Sequence, residues 1–390
     1  MTPAPAAEGT PLLLCAGESE TELRREFAAA FPGGVIEPVH PQLFAVRLGG
    51  PSSVPPPLLV FARQFLPAAR PVAAESIRDW AETLVAAVAG VLPDDQPWTM
   101  HVEPHYGARP AHRIGARAWH SATRGRAVPA VSEAAGPVVE AAAGRQRCRL
   151  IHEAVVEALR KKRRHLLRRL RPLPVPFTPG DSLVQLLLTA PGRGFLSVAA
   201  APVPERWQRW ISPFPKGEVA PASDQSAPSR AFAKLAEAGL RLGRPIAAGE
   251  TCVDLGASPG SWTWLARQQG ARVIAVDRSP LREDLARDPQ VEFVAGDAFR
   301  YQPARPVDWL LCDVIAAPER SAALLLEWVR RRWCRRFVVS LKLGDDPADA
   351  VLAGLKAELP LLAPDVRILR LCANKKEVCA FGTVGGEEKA

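Results

Sequence analysis

Lys342 sits near the end of the stretch VVSLKLGDD, at the carboxyl end of a run that is otherwise apolar. Lysine is rarely buried without a reason. A desolvated lysine beside a second cation has a lowered pKa and offers a neutral amine as general base near pH 7. Lys234, in SRAFAKLAEA, is the residue expected to supply that cation. Two carboxylates, Asp313 in DWLLCD and Glu377 in NKKEV, are expected to orient the amine and to fix substrate and cofactor.

A second constellation lies at CVDLGASPGSWTWLARQ, residues 252–268. A dinucleotide site needs GxGxxG after its first strand. Here Gly256 and Gly260 are four apart, Pro259 stiffens the turn between them, and Ser261 and Trp262 open a helix. With no close GxG for a pyrophosphate, NAD-dependent chemistry is disfavoured. Asp254 stands at the strand end, where it is expected to repel phosphate. An acid followed by such a turn suits a phosphate-free ligand with a cationic amino-acid end, and S-adenosylmethionine is one. Further acids close the following strands. Asp277 is placed for ribose hydroxyls, Asp297 for the adenine amino group, and Asp313 follows. One strand-end aspartate is explained as a cap; four in register with a glycine turn point to the methyl donor. Amine acceptors are disfavoured, because the place of a [DN]PP[FY] turn reads Asp313-Val-Ile-Ala. Carbon-directed methylation needs an accessible nucleophilic cysteine, and Cys312 lies inside an apolar strand run.

These residues require a scaffold that brings strand ends together. Over the last 160 residues or so, apolar runs alternate with helical stretches: TCVDL, ARVIAVD, VEFVAGD, DWLLCDVI, RRFVVSLKL. Strands apolar throughout and separated by helices predict an α/β, Rossmann-like, mostly parallel sheet covered on both faces, with ligands at the carboxyl ends. The last two strands, VRILRLCA and VCAFGTV, are expected to be an antiparallel pair at one edge. The first half reads as α+β. PLLLCAG and LFAVRLG are strands around a helix that starts at Ser19 or Thr21 and stops at Pro32. SSVPPPLLVFARQFLPAARP reads as a loop with a short apolar run between prolines. A helix over 75–91, a strand at WTMHVEP and two strands around PGRG follow. Residues 105–145 read as a long loop or partly disordered insertion, and 203–230 as a proline- and serine-rich connection.

The chain has 390 residues, 47% hydrophobic and 23% charged, enough for two or three domains. Its net charge is +9, and residues 145–171 hold eleven Arg and Lys against Glu153 and Glu157. The rest is roughly neutral, so the basic block points to a polyanionic partner. Arg160, Lys161, Lys162, Arg163, Arg164 and Arg168 are its candidate phosphate contacts. Ile151, Val155 and Leu159 share a helical face. Lys162 and Arg169 would fall on that face of a straight helix, so either they snorkel or the helix breaks near Arg160 and restarts. Seven cysteines, with no CxxC, suggest a reduced cytoplasmic protein without structural zinc. No basic leader and no apolar run of about 18 residues is present, so neither signal peptide nor membrane span is expected.

The C-terminal region resembles the RrmJ/FtsJ family of ribose 2′-O-methyltransferases. That family carries a Lys-Asp-Lys-Glu tetrad in this chain order, and the matching positions are Lys234, Asp313, Lys342 and Glu377. Its first motif resembles DLGASPGSWT, including Trp262 and Thr263, and departs at Ser261, where glycine is common. Upstream, FARQF at 61–65, the helix after Arg149 and the APSR segment resemble the RlmM family of large-subunit ribosomal RNA methyltransferases. The resemblance implies a ferredoxin-like region at 1–70 and a THUMP-like RNA-binding domain at 71–205 containing the 105–145 insertion. A linker at 206–233 and a methyltransferase domain at 234–390 would follow. It also implies S-adenosylmethionine without a metal, a cytidine of 23S ribosomal RNA as acceptor, and a monomer or weak oligomer. A small-molecule O-methyltransferase would share the sheet but have no use for the basic block. A non-catalytic RNA-binding relative would keep the block and fail to bind S-adenosylmethionine.

Overall fold

The computed structural model describes residues 9–49, 56–92, 96–106, 136–171, 178, 180–219, 224–343 and 349–385. They fall into two compact units. The first comprises Met1–Pro56 and Phe61–Glu218, the second Pro57–Val60 and Val219–Ala390. The division at 218/219 lies inside the stretch that reads as a connection.

The first unit is built on one seven-stranded sheet. Its strands are β1 (Thr10–Cys15), β2 (Val35–His40), β3 (Leu43–Arg47), β4 (Ala62–Ala73), β5 (Trp98–Pro104), β6 (Ser182–Ala190) and β7 (Arg193–Ala199), in the order β2-β3-β1-β4-β7-β6-β5. β4 pairs with β1 on one side and β7 on the other, so the sheet runs unbroken across residue 70. This corrects the expectation of a loop and short apolar run there. Two prolines suggest a break, but Pro67 lies at a register shift opposite Thr10/Leu12, where the ladder needs no donor from it. β2, with its proline, was not legible as a strand either.

Trp98, Met100 and Val102 of β5 and Val184, Leu186 and Leu188 of β6 share a face, because side chains in a strand alternate. That face packs against α2 (Ile77–Val91) and α3 (Gly136–Lys162), which contribute Trp80, Leu84, Val88, Ile151, Val155 and Leu159 at helical spacing. A capping box starts α2, with Ser76 and Asp79 exchanging side-chain and backbone hydrogen bonds. The expected insertion at 105–145 is in part this long helix, which begins at Gly136; residues 107–135 lie outside the described residues. The helix does break. Arg163 leaves helical geometry at φ −145°, ψ 55°, and a short turn, α4 (Arg164–Leu167), restarts it.

The second unit holds β8 (Thr251–Leu255), β9 (Arg272–Asp277), β10 (Val291–Ala295), β11 (Val307–Cys312), β12 (Cys334–Lys342), β13 (Arg367–Leu369) and β14 (Glu377–Thr383). Their order is β10-β9-β8-β11-β12-β14-β13. β8 to β12 are parallel, while β14 runs antiparallel between β12 and β13. This is the expected Rossmann-like sheet, with β14 one strand in from the edge. The helices that bear on the site are α6 (Phe232–Leu242), which precedes β8, α7 (Ser261–Gln268), which follows it, and α9 (Pro318–Arg330), which follows β11. Parallel strands deliver all their carboxyl ends to one edge, and an antiparallel strand begins there. The topology therefore puts Asp277, Asp313, Lys342 and Glu377 on the same side of the sheet.

Candidate active site

Lys342 is the last residue of β12 and pairs in register with Glu377, the first of β14. Asp313 directly follows β11, the neighbouring strand. Lys234 comes from the first turn of α6. The four side chains meet. Lys342 Nζ donates to Asp313 Oδ1 at 2.7 Å and also to Glu377. Lys234 Nζ donates to Asp313 Oδ2 at 2.5 Å and to Glu377 Oε1 at 3.1 Å. Each carboxylate thus bridges both ammonium groups, and the cluster is neutral overall. The two lysines differ in access. The Lys234 side chain is 7% exposed and that of Lys342 24%.

This arrangement corrects the expected electrostatics of Lys342. Burial does push its pKa down, but the charge and hydrogen bonds of Asp313 and Glu377 outweigh that and raise it above the ordinary lysine value. Lys234 does not act as an uncompensated neighbouring cation, because the same carboxylates neutralise it. In the unliganded site Lys342 is an ammonium group.

α6 is held where Lys234 can reach. Glu237, one turn on, accepts from Arg241 Nε at 2.9 Å, and its other oxygen accepts from the backbone N–H of Cys372 at 2.8 Å. Both side chains of this ion pair are nearly inaccessible, at 2% for Glu237 and 5% for Arg241. Asn374 donates to the backbone carbonyl of Glu377 at 3.0 Å. The turn before β14 is therefore fastened both to α6 and to Glu377. The sequence reading missed Glu237, Arg241 and Asn374. The first two had a signal, an oppositely charged pair four residues apart on a strongly amphipathic helix.

The residues of the 254–262 turn divide into those that shape it and those open to a ligand. Asp254 is 1% exposed and accepts from Thr263 Oγ1 at 2.7 Å. Burial raises its carboxyl to about 7 against the Thr263 hydrogen bonds, with the charges of Asp313 and Asp277 adding to the rise. It is therefore a buried tether between β8 and α7, not the phosphate-repelling acid that the sequence suggested. Gly256 has φ +75°, and a Cβ there would lie 2.6 Å from Val314 Cγ2. Only glycine lets the turn pack so closely on the chain after β11. Gly260, at φ +113°, caps α7, and the Ser258–Pro259 peptide is cis. Ser261 is buried with its Oγ 2.6 Å from Ser229 Oγ, a link that glycine at this position lacks. Trp262 is buried, donates to the carbonyl of Ala231, and lies 5.9 Å from Lys234 Nζ.

Asp277 and Asp297 stay partly exposed at the ends of adjacent strands. Asp277 accepts from the backbone N–H of Ser258 at 3.0 Å and of Ser279 at 2.8 Å. Asp297 accepts from the N–H of Phe299 and from Arg278, which together hold its pKa low. A carboxylate has about four acceptor positions, so each of the two keeps capacity for ligand hydroxyl or amino groups. Cys312 is fully buried and its thiol is pushed up to about 12 by burial. That agrees with its exclusion as a nucleophile. Among the described residues no group of His, Cys, Asp and Glu is placed to hold a metal ion, and no described helix is long and apolar enough to cross a membrane.

The basic segment lies in the first unit and is equally well anchored. Trp98 Nε1 donates to the carbonyl of Leu166 at 2.9 Å, and the Trp98 backbone exchanges hydrogen bonds with Arg169 and Arg171. Arg160, Lys161, Lys162, Arg163, Arg164 and Arg168 are all exposed. Glu157 pairs with Arg160 and, at 3.2 Å, with Lys161. Lys162, Arg163 and Arg168 have no ion pair among the described residues.

Residues 227–374 match the family model described as FtsJ-like methyltransferase. The chain is also similar to proteins named ribosomal RNA large subunit methyltransferase M. The one from Azoarcus sp. (strain BH72) is 36% identical over 184 residues, covering 44% of this chain and 50% of the relative. That of Thauera aminoaromatica is 34% identical over 216 residues, covering 53% and 57%. That of Halorhodospira halophila is 49% identical over 123 residues, covering 30% and 36%. The chain thus spans about half the length of the first two relatives. The match to the FtsJ-like methyltransferase model lies entirely within the second unit and spans the residues that bring Lys234, Asp313 and Lys342 to the strand edge.

Proposed function

We propose that this chain transfers a methyl group from S-adenosylmethionine to a ribose 2′-hydroxyl of RNA, with a cytidine of large-subunit ribosomal RNA as acceptor. The observation that carries this reading is the paired-lysine cluster at the strand edge, in which both carboxylates bridge Lys234 and Lys342 and Lys342 is the more open. The names of the similar proteins support the large-subunit substrate.

The residues present suit this donor. Asp277 and Asp297 offer unspent acceptor capacity to hydroxyl and amino groups, and the close-packed turn at Gly256 borders the same edge. When bound, S-adenosylmethionine supplies an electrophilic methyl on a sulfonium, whose positive charge opposes that of Lys342. The chain's own residues then position the acceptor and manage one proton. Lys342 Nζ, part-exposed, first releases its own proton to solvent. It then receives the proton of the ribose hydroxyl as the oxygen takes the methyl group, leaving a neutral thioether. Asp313 and Glu377 hold the amine in place, and Lys234, hydrogen-bonded to both, keeps those carboxylates aligned. Most of the acceleration comes from orientation, since the leaving group is already activated. The exposed cations at 160–168 hold phosphates, in the region read as THUMP-like.

Two measurements test the reading. Ribose methylation mapped across large-subunit RNA should lose one position in cells that lack this protein. Purified Lys342→Arg keeps the charge and hydrogen bonds but cannot lose a proton, and it should bind S-adenosylmethionine normally while transferring methyl at least about a hundredfold more slowly. Wild-type turnover by that variant would sink the base assignment.

A further inference from the structure

Ile315 is the most exposed large hydrophobic side chain among the described residues, at 92%. Single exposed hydrophobes are ordinary, but the position of this one is not. It lies two residues after Asp313, in the segment Val314-Ile-Ala-Ala317 between β11 and α9, which carries no charge. The segment is fastened at both ends. Asp313 is held by the two lysines, and Val314 packs on Gly256 so closely that a Cβ there would overlap it. Pro318 then starts α9, with Ala317 as its N-cap. Ile315 is thus held out in solvent by a braced turn.

Consecutive Cα atoms are 3.8 Å apart, so the Ile315 Cα lies within about 7.6 Å of the Asp313 Cα. A nucleotide whose 2′-oxygen meets Lys342 spans a comparable distance from ribose to base. We propose that Ile315 and the uncharged segment around it form an apolar platform for the base of the acceptor nucleotide. This deepens the reading above and rests on it. The contact has two consequences. The acceptor base must be unstacked and unpaired to reach the platform, as in a loop, a bulge or a flipped nucleotide. The platform also offers no side-chain hydrogen bond, so it positions the nucleotide without reading which base it is.

The test is steady-state methylation of large-subunit RNA lacking the modification, comparing wild type with Ile315→Ala, Ile315→Asp and Ile315→Leu. Loss of a contact made equally in ground and transition states raises KM and leaves kcat. Ile315→Ala should raise the KM for RNA roughly tenfold, the size expected for losing a buried aliphatic side chain. Ile315→Asp should raise it further, and Ile315→Leu should stay near wild type. Melting temperature and S-adenosylmethionine affinity should be unchanged in all three, which a merely structural residue would not allow. Wild-type kinetics in Ile315→Asp overturn this inference alone, as does a loss of stability or donor binding that accounts for the rise in KM. A wild-type chain that leaves ribose unmethylated overturns the functional reading, and this inference with it.

Discussion

Lys342 and Lys234 share the same two carboxylates, yet their chemistry diverges with access, at 24% and 7% exposure. Because Asp313 and Glu377 raise the Lys342 pKa against the effect of burial, the neutral amine is scarce in the free protein at neutral pH. The direction fixes a pH profile. The neutral fraction grows tenfold per pH unit below that pKa, so kcat/KM, which reports the free protein, should climb with a slope of about one between roughly pH 7 and 9. A flat profile measured at limiting donor and acceptor would count against proton abstraction by Lys342. Asp254 gives the opposite kind of test. Its folded carboxyl keeps its proton up to about 7, whereas an unfolded aspartate releases it near pH ~3.9. Between these values the folded state binds more protons, so stability falls as pH rises through that window and stays low above it. Asp254→Asn still accepts from Thr263 and carries no such cost. It should raise the melting temperature at pH 8, by the equivalent of roughly 2–4 kcal/mol, and leave it nearly unchanged at pH 4.

Helix α6, which carries Lys234, is tied to the turn before β14 by Glu237, which accepts from the backbone of Cys372 while Arg241, one turn on along the same helix, neutralises it. Removing one partner of a buried ion pair typically costs about 3–5 kcal/mol, since the other is left uncompensated. Glu237→Ala should therefore lower the thermal midpoint of the second unit and reduce methyl transfer. Glu237→Leu combined with Arg241→Met should recover the midpoint more than the activity, because the Cys372 link stays broken. Equal recovery of both would show that α6 finds its position without the tether. The strands of the second unit were legible because most are predominantly apolar runs separated by helical stretches, and their carboxyl ends therefore located Asp277, Asp313 and Lys342. What the residues could not reveal was direction within a turn. Asp254 and Asp277 both close apolar strands, yet one folds inward onto Thr263 and the other stays at the surface. Backbone pairing overrode local preference in β4, where a register shift absorbs Pro67, and in β2, which carries Pro38. The helix break at Arg163 was half legible. Lys162 and Arg169 on an apolar face required either a break or snorkelling, and the tether from Trp98 to the chain beyond the break was invisible in the sequence.

Charge divides the molecule unequally, since eleven cations in residues 145–171 account for its +9 while the rest balances. The structure separates those cations by what they already hold. Arg160 and Lys161 share Glu157, and Arg171 makes a two-point contact with Asp181 at 3.0 and 3.1 Å. Lys162, Arg163 and Arg168 are exposed and have no ion pair among the described residues. A cation already engaged must give up its partner to meet a phosphate. Among the six candidate contacts Lys162, Arg163 and Arg168, which have neither an ion pair nor a side-chain hydrogen bond among the described residues, should therefore dominate any RNA contact. Arg164, also without an ion pair among the described residues, already donates from Nε to the Arg160 carbonyl. Each phosphate neutralised on single-stranded RNA contributes about 0.7 to the slope of log affinity against log salt. Changing Lys162, Arg163 and Arg168 together to Gln should therefore reduce that slope by about 2 and weaken binding at low salt by at least about tenfold. Arg160→Gln alone should change either quantity far less. Filter binding of ribosomal RNA fragments across a salt series measures both, and S-adenosylmethionine affinity, which depends on the other unit, should not move. An unchanged slope in the triple variant would mean that the cations between α3 and β6 only solvate the first unit, and that RNA is held elsewhere.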